Sequence, residues 1–402
     1  MSKEIKKIAI VNAHWNNRGD EAALLAVIDG LQKNYTNAQI TILFKDDAQI
    51  QQFPSLQNVD YELAKFNAKI WDIWLSTLTR GVFSRNKKLQ FLVKTLLNTD
   101  LIIYSPGGSV INSRFFWRKQ MEYLVPFICS KFYNIPMMIA APSIGPFDLS
   151  QSNSVLQWLL KVPKVFVVRE EISKKYLAEI GITKNIVTTV DSAFYDGIKE
   201  EVNDKKLDDY KELKEYLSSY EKVIGITITD FAWHVQYNKD RELSQRITSS
   251  FSSFLNKLQQ EGYGIIFIPQ LFGNQNDSNY MSKFASEKTF MLLDTYDTYF
   301  QQFVISKLYA VVGMRYHSNI FSAKVGTPFI PIVYEEKMEG FIDMSGLNDY
   351  ALSLDELSFE ALNEKFERLN RNYDRVKDIF GEKLHLWKRE ASRTMELLGL
   401  YK

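Results

Sequence analysis

A chain of 402 residues, 46% apolar and 24% charged, is too long for one ordinary core and has the balance of a two-domain globular protein. Its 49 Lys and Arg against 48 Asp and Glu exclude nucleic-acid binding driven by bulk charge. One cysteine, Cys129, excludes an internal disulfide and fits a reducing compartment.

The first residues, MSKEIKKIAIVNAHW, lack the long apolar stretch of a signal peptide. No run approaches the roughly 20 apolar residues of a membrane span, so a cytoplasmic location is expected. KIAIVNA (7–13) predicts a strand, and DEAALLAVIDGLQKNY (20–35) a helix with Leu24, Val27, Ile28 and Leu31 on one face. QITILF (39–44), DLIIYS (100–105), PMMIAAP (136–142), KVFVVR (164–169) and NIVTTVD (185–191) continue the strands. Helical patterns lie between them, such as EISKKYLAEI (171–180), which Gly181 ends. Such alternation predicts a parallel sheet covered on both faces.

The charged stretch EEVNDKKLDDYKELKEYLSSYEK (200–222) interrupts the series and marks the expected domain junction. VIGITIT (223–229), the helix ELSQRITSSFSSFLNKLQQEG (242–262), GIIFIP (264–269), LYAVVG (308–313) and PFIPIVY (328–334) then form a second set. Residues 358–400 read as helical throughout. The expected fold is α/β, with two Rossmann-like domains (1–200 and 201–365) facing across a cleft. A helical tail (366–402) would pack back on the first domain. Ligands are expected between the carboxyl ends of the two sheets, acceptor on the first and donor on the second. The aromatic content of 14% is expected to fill the cores.

Function in such folds belongs to the loops after strands. In NAHWNNRGDEA, Gly19 permits a tight turn and Asp20 is placed either to cap the next helix or to meet a hydroxyl. His14 is a candidate to line the cleft from the same loop. Gly107 and Gly108 in PGGSV, with Gly145 in PSIGPF, would let backbone amides approach a ligand, although tight turns need glycine anyway. Arg169 stands at a strand end, where pairing with Glu170 or Glu171 would equally account for it. In GMRYHSNIFSAKVG, Arg315 and His317 lie at a strand-to-helix turn whose unpaired amides favour an anion. Lys337 follows the next strand, at the same sheet edge. Two cations, a histidine and a helix start suit a small, strongly anionic substrate.

His234 is a weaker candidate and His385 reads as structural. Nothing near Cys129 in sequence would lower its pKa, so it is not expected to be a nucleophile. No His/Cys/Asp/Glu spacing suggests a metal site, and neither a P-loop nor G-x-G-x-x-G is present, which disfavours ATP and dinucleotides.

Taken in order, these loops resemble the polysaccharide pyruvyl transferase family. The resemblance runs from NNRGDEA through PGGSV, SIGPF, VVREEIS and VDSAF to GMRYHSNIFSAKVGTPFIPIVYEEK. Its strongest part is R-x-H followed by Y-x-x-K: Arg315, His317, Tyr334 and Lys337. Pro106 departs from it, standing where relatives often carry another glycine. The resemblance implies a GT-B-like fold, phosphoenolpyruvate as donor, a sugar diol of a cell-surface polysaccharide or its precursor as acceptor, and a pyruvate ketal and phosphate as products. No cofactor beyond the donor substrate is implied. In that chemistry His317 is the acid/base, Arg315, Lys337 and Arg169 neutralise the donor, and Asp20 orients or deprotonates the acceptor hydroxyl.

Oligomeric state and a lipid-linked acceptor stay open. A peripheral visit to the inner face of the plasma membrane is compatible, with RFFWRKQ (114–120) touching lipid or serving as plain solvated helix surface. A GT-B glycosyltransferase using a nucleotide sugar is the alternative enzyme, and a sugar-binding scaffold the non-catalytic one.

Overall fold

The structure, a computed structural model, describes residues 4–44, 50–107, 111–112, 124–149, 154–231, 234, 236–273 and 276–401. Gly108 and RFFWRKQ lie outside them. The chain divides into two compact units. The first comprises Met1–Asn16, Asp20–Tyr195 and Arg389–Lys402, and the second Asn17–Gly19 and Asp196–Lys388.

In the first unit, β1 (Lys7–Ala13), α1 (Arg18–Asn34), β2 (Gln39–Phe44) and β3 (Val59–Leu63) are followed by α2 (Ile70–Leu78) and α3 (Lys87–Leu97). β4 (Leu101–Tyr104), α4 (Val125–Tyr133), β5 (Met137–Ala140), α5 (Ser154–Leu160), β6 (Val165–Val168), α6 (Glu171–Glu179) and β7 (Ile186–Thr188) complete it. All seven strands are parallel, in the order β3-β2-β1-β4-β5-β6-β7. β4 and β5 are buried along their whole length, which explains their unbroken apolar sequence.

One sheet face packs on α1 through Leu24, Val27, Ile28 and Leu31, joined by Met395 and Leu398. Tyr35 donates to the Leu398 carbonyl at 2.9 Å, and Thr189 and Thr394 share a hydrogen bond of 2.7 Å. Residues 389–402 are thus part of this core.

The second unit opens with α7 (Glu200–Asp209) and α8 (Lys211–Ser218), so the charged junction is a pair of short helices. β8 (Val223–Thr227), α9 (Arg241–Gln260), β9 (Gly264–Phe267), α10 (Asp277–Met281), β10 (Thr289–Met291), α11 (Thr298–Ser306), β11 (Ala310–Gly313) and α12 (Tyr316–Val325) follow. Next come β12 (Phe329–Val333), α13 (Glu336–Ser345), β13 (Leu352–Ser353), α14 (Phe359–Arg371) and α15 (Tyr373–Leu397). Its six strands are parallel, in the order β10-β9-β8-β11-β12-β13. The stretch read as one helical run is two helices, broken at Asn372.

Both sheets grow outward in two directions from their first strand. The reversal lies between β1 and β4 in the first sheet and between β8 and β11 in the second. Loops leaving the carboxyl ends of such neighbours splay apart and leave a crevice, the usual ligand position in this architecture. Many of the phenylalanines, among them Phe44, Phe127, Phe194, Phe251 and Phe267, are fully buried.

Candidate active site

The second unit gathers its chemistry at that reversal. β11 ends at Gly313, and Arg315 begins α12 in an extended conformation (φ −89°, ψ 134°), while Gly326 closes the helix at φ 74°. Gly313 is needed for packing, because a Cβ there would lie 2.0 Å from Asn319 Oδ1. Thr227, the last residue of β8, ties the turn to the neighbouring strand. Its hydroxyl accepts from the Met314 amide at 3.0 Å and bonds Ser318 Oγ at 3.0 Å.

Arg315 is buried, and its guanidinium faces Asp277. Nε donates to Oδ2 at 3.1 Å and Nη2 donates to Oδ1, a two-pronged contact that fixes the guanidinium plane. The same carboxylate accepts from the Gln270 and Leu271 amides, each at 3.0 Å, so it also holds the loop after β9. Burial disfavours the Arg315 charge, but the Asp277 charge and hydrogen bond, together with Tyr334 and Asp230, more than offset it and raise the pKa above its ordinary value. Burial pushes the nearby Tyr334 phenol up as well, against the opposing pull of Arg315. The guanidinium therefore stays charged and the phenol protonated across physiological pH.

His317 occupies the first turn of α12, its ring edge-on to Tyr316 at 5.1 Å. The ring also lies against Gly19, where a Cβ would come within 1.8 Å of the imidazole Cγ. The Asn17–Gly19 turn is seated in the second unit. Asn17 pairs with Leu271, the Arg18 amide donates to the Gln270 carbonyl at 3.0 Å, and Thr298 Oγ1 donates to the Arg18 carbonyl at 2.9 Å. Only a residue without a side chain leaves room there for the imidazole.

Lys337, the second residue of α13, lies with its Nζ 5.7 Å from the centre of the Tyr316 ring and is paired with Glu335. His234 Nε2 approaches the same glutamate at 3.5 Å. The structure thus brings Arg315, His317 and Lys337 to one sheet edge. It adds Asp277, Thr227, Glu335 and Gly19, none of which the motif reading singled out as site residues.

In the first unit, Asp20 sits in the first turn of α1 rather than at its cap. Asn17 does the capping, accepting from the Gly19 amide at 2.8 Å. A Cβ on Gly107 would lie 3.8 Å from Asp20 Oδ1, so the loops after β1 and β4 meet at the reversal. His14 is half-buried in the loop after β1.

Arg169 is engaged differently. Nη1 donates to Asp191 at 2.6 Å and Nε to Ser143 at 2.8 Å, with Glu170 3.7 Å away, so it braces the loops after β5, β6 and β7. Gly145 (φ +87°) sits on one of them, where a Cβ would lie 2.4 Å from Tyr176. Cys129 is buried away from these loops, and burial pushes its thiol up to about 12 despite a hydrogen bond from Thr77. No group of three or more potential metal ligands occurs among the described residues.

Comparison with known proteins gives the family and the fold. A family model described as polysaccharide pyruvyl transferase matches residues 17–336. The amylovoran biosynthesis protein AmsJ of Erwinia amylovora is 22% identical over 400 residues, covering 92% of this chain and 93% of that protein. Among solved structures, a glycosyltransferase from Rickettsia africae superposes with a TM-score of 0.64 at 13% identity, covering 100% of this chain and 98% of that one. UDP-GlcNAc 2-epimerase from Neisseria meningitidis gives 0.62 at 13% identity, covering 98% and 99%. The fold is GT-B-like, two Rossmann-like domains with a helical tail.

Proposed function

Since the chain belongs to the polysaccharide pyruvyl transferase family, we propose that it moves the pyruvyl group of phosphoenolpyruvate onto a sugar diol, in the biosynthesis of an exopolysaccharide. The observation that carries this reading is the convergence of Arg315, His317 and Lys337 at the strand-order reversal of the second sheet. Further support comes from the relative AmsJ, an amylovoran biosynthesis protein.

Phosphoenolpyruvate carries a phosphate and a carboxylate. Arg315 and Lys337 supply two cations for them, one locked in plane by Asp277 and one held loosely by Glu335. Lys337 is the adaptable member, because an arriving dianion competes with Glu335 for the same ammonium.

An acceptor hydroxyl oxygen bonds to C2 of the enol as His317 delivers a proton to C3. The hydroxyl proton passes to Asp20. The bond from C2 to the bridging phosphate oxygen then breaks, phosphate leaving with the electron pair and taking the proton held by Asp20, and the neighbouring hydroxyl bonds to C2, its proton returning to His317. His317 is the acid because an imidazole can deliver a proton to carbon and take one back. Arg315 and Lys337 stabilise the charge that gathers on phosphate as it departs. Arg169 acts through the loops it braces, keeping Gly145 and its neighbours in place for the acceptor.

A thermal-shift titration tests the donor assignment, with phosphoenolpyruvate run beside UDP, GDP and inorganic phosphate on wild type and Lys337→Ala. A saturable shift with phosphoenolpyruvate that weakens in the variant is expected. A shift with UDP or GDP alone would replace the donor by a nucleotide sugar.

A further inference from the structure

The helices on one face of the first sheet use their inner sides for the core and leave apolar side chains outside. Ile73 of α2, Leu92 of α3, Phe127 of α4 and Leu156 of α5 belong to one buried cluster. On its outer side α2 presents Trp71, Leu75 and Leu78 at i, i+4 and i+7, a single stripe with Trp71 80% exposed. The turn after α2 adds Val82 and Phe83, the latter 65% exposed, and Gln90 pins it to α3 by donating to the Gly81 carbonyl. Phe132 and Trp158 extend the surface across α4 and α5, edge to face with ring centres 6.0 Å apart. Scattered apolar residues on a surface need no explanation, but a contiguous ridge led by an indole does.

Charge around the ridge has one sign. Residues 64–98 hold seven Lys and Arg against one acidic residue, Asp72, in a chain whose overall net charge is +1. Lys69 precedes α2, Arg80 and Arg85 flank the Val82–Phe83 turn, and Lys87 and Lys94 stand one turn either side of Phe91 on α3. All five are exposed.

We propose that this face docks on an anionic lipid surface. Trp71, Leu75, Leu78, Val82 and Phe83 enter the headgroup boundary while the surrounding cations meet lipid phosphates. Indole and phenyl rings favour that boundary, and each Lys or Arg held near an anionic leaflet adds attraction that salt weakens. A second copy of the chain fits poorly as the occupant, because a self-complementary contact would set seven cations against seven. No described helix is long and apolar enough to cross a membrane, so the contact is one of lying on the surface.

The test is flotation of the full chain with vesicles of mixed phosphatidylcholine and phosphatidylglycerol, beside vesicles of phosphatidylcholine alone. Binding to the mixed vesicles is expected, roughly tenfold or more above that to the neutral ones, and falling as salt rises. A Trp71→Ser/Phe83→Ser variant is expected to lose roughly tenfold or more of it while keeping its melting temperature and its response to phosphoenolpyruvate. No flotation with the mixed vesicles, or equal flotation of wild type and variant, overturns the proposal. So does a wild-type dimer that the double substitution dissociates, which would give the face to a second copy. The inference stands apart from pyruvyl transfer, and a silent donor titration leaves it intact.

Discussion

Each sheet carries a buried arginine at a strand end facing a buried aspartate, Arg169 with Asp191 in the first and Arg315 with Asp277 in the second. The two pairs look alike in burial and in charge, and they differ in position. Arg315 follows β11, which borders the strand-order reversal, whereas Arg169 follows β6, two strands outside it. Around Arg315 lie an imidazole and a lysine; around Arg169 lie Ser143 and the loops it braces. An ion pair that costs desolvation on both sides is poor evidence of function by itself. Its place in the sheet order is what sets the pair proposed here as a ligand clamp apart from the one that braces loops.

Substitution of both pairs is the strongest way to break this contrast. Arg169→Ala and Arg315→Ala each strand a buried carboxylate and should each cost about 3–5 kcal/mol, read from chemical denaturation. Replacing both partners with apolar residues, as Arg169→Met/Asp191→Leu or Arg315→Met/Asp277→Leu, should recover part of that loss, the rest staying with the backbone amides that each aspartate also accepts from. The difference between the two repairs lies in function: the first should keep the thermal shift with phosphoenolpyruvate, and the second should abolish it. Equal behaviour of the two would erase the distinction.

Next in size, His317→Ala should lower turnover by roughly a hundredfold or more with an unchanged melting temperature. A folded variant with full turnover removes His317 from the acid role. Lys337→Ala should weaken phosphoenolpyruvate binding about tenfold, near 1.4 kcal/mol by calorimetry. Glu335→Gln should tighten it by at most about fivefold, since the Lys337–Glu335 pair is partly exposed (23% for each side chain). A pair of glycines in the first unit is read in stability alone. Gly145→Ala, strained by φ +87° and by the Tyr176 ring, should cost about 1–3 kcal/mol, and Gly181→Ala, at φ +74° in open space, about 1 kcal/mol.

Much of this was legible in the amino-acid order. Central parallel strands such as QITILF and DLIIYS read as apolar runs because both of their faces are covered. The edge strand β3, VDYEL, went unseen because most of it is exposed and its pattern is polar. β10 and β13, of three and two residues, are too short to register any period. Arg315 and His317 were visible because their chemistry is compressed into three consecutive positions. Asp277 was not, since it lies 38 residues earlier, at the start of a short helix without a motif. Gly19 was read as a turn residue, and its contact with the imidazole of His317 exists only in three dimensions.

The membership of residues 389–402 in the first unit has a consequence for biogenesis. A nascent chain released only as far as Tyr195 holds all seven strands of the first sheet, but not Met395, Leu398 or Thr394, which close its core. Another 207 residues separate Tyr195 from Lys402, which at about 5–20 residues per second takes roughly 10–40 s of translation. Through that interval the ribosome carries a sheet with part of one apolar face still uncovered, so the half of the molecule made first is finished last.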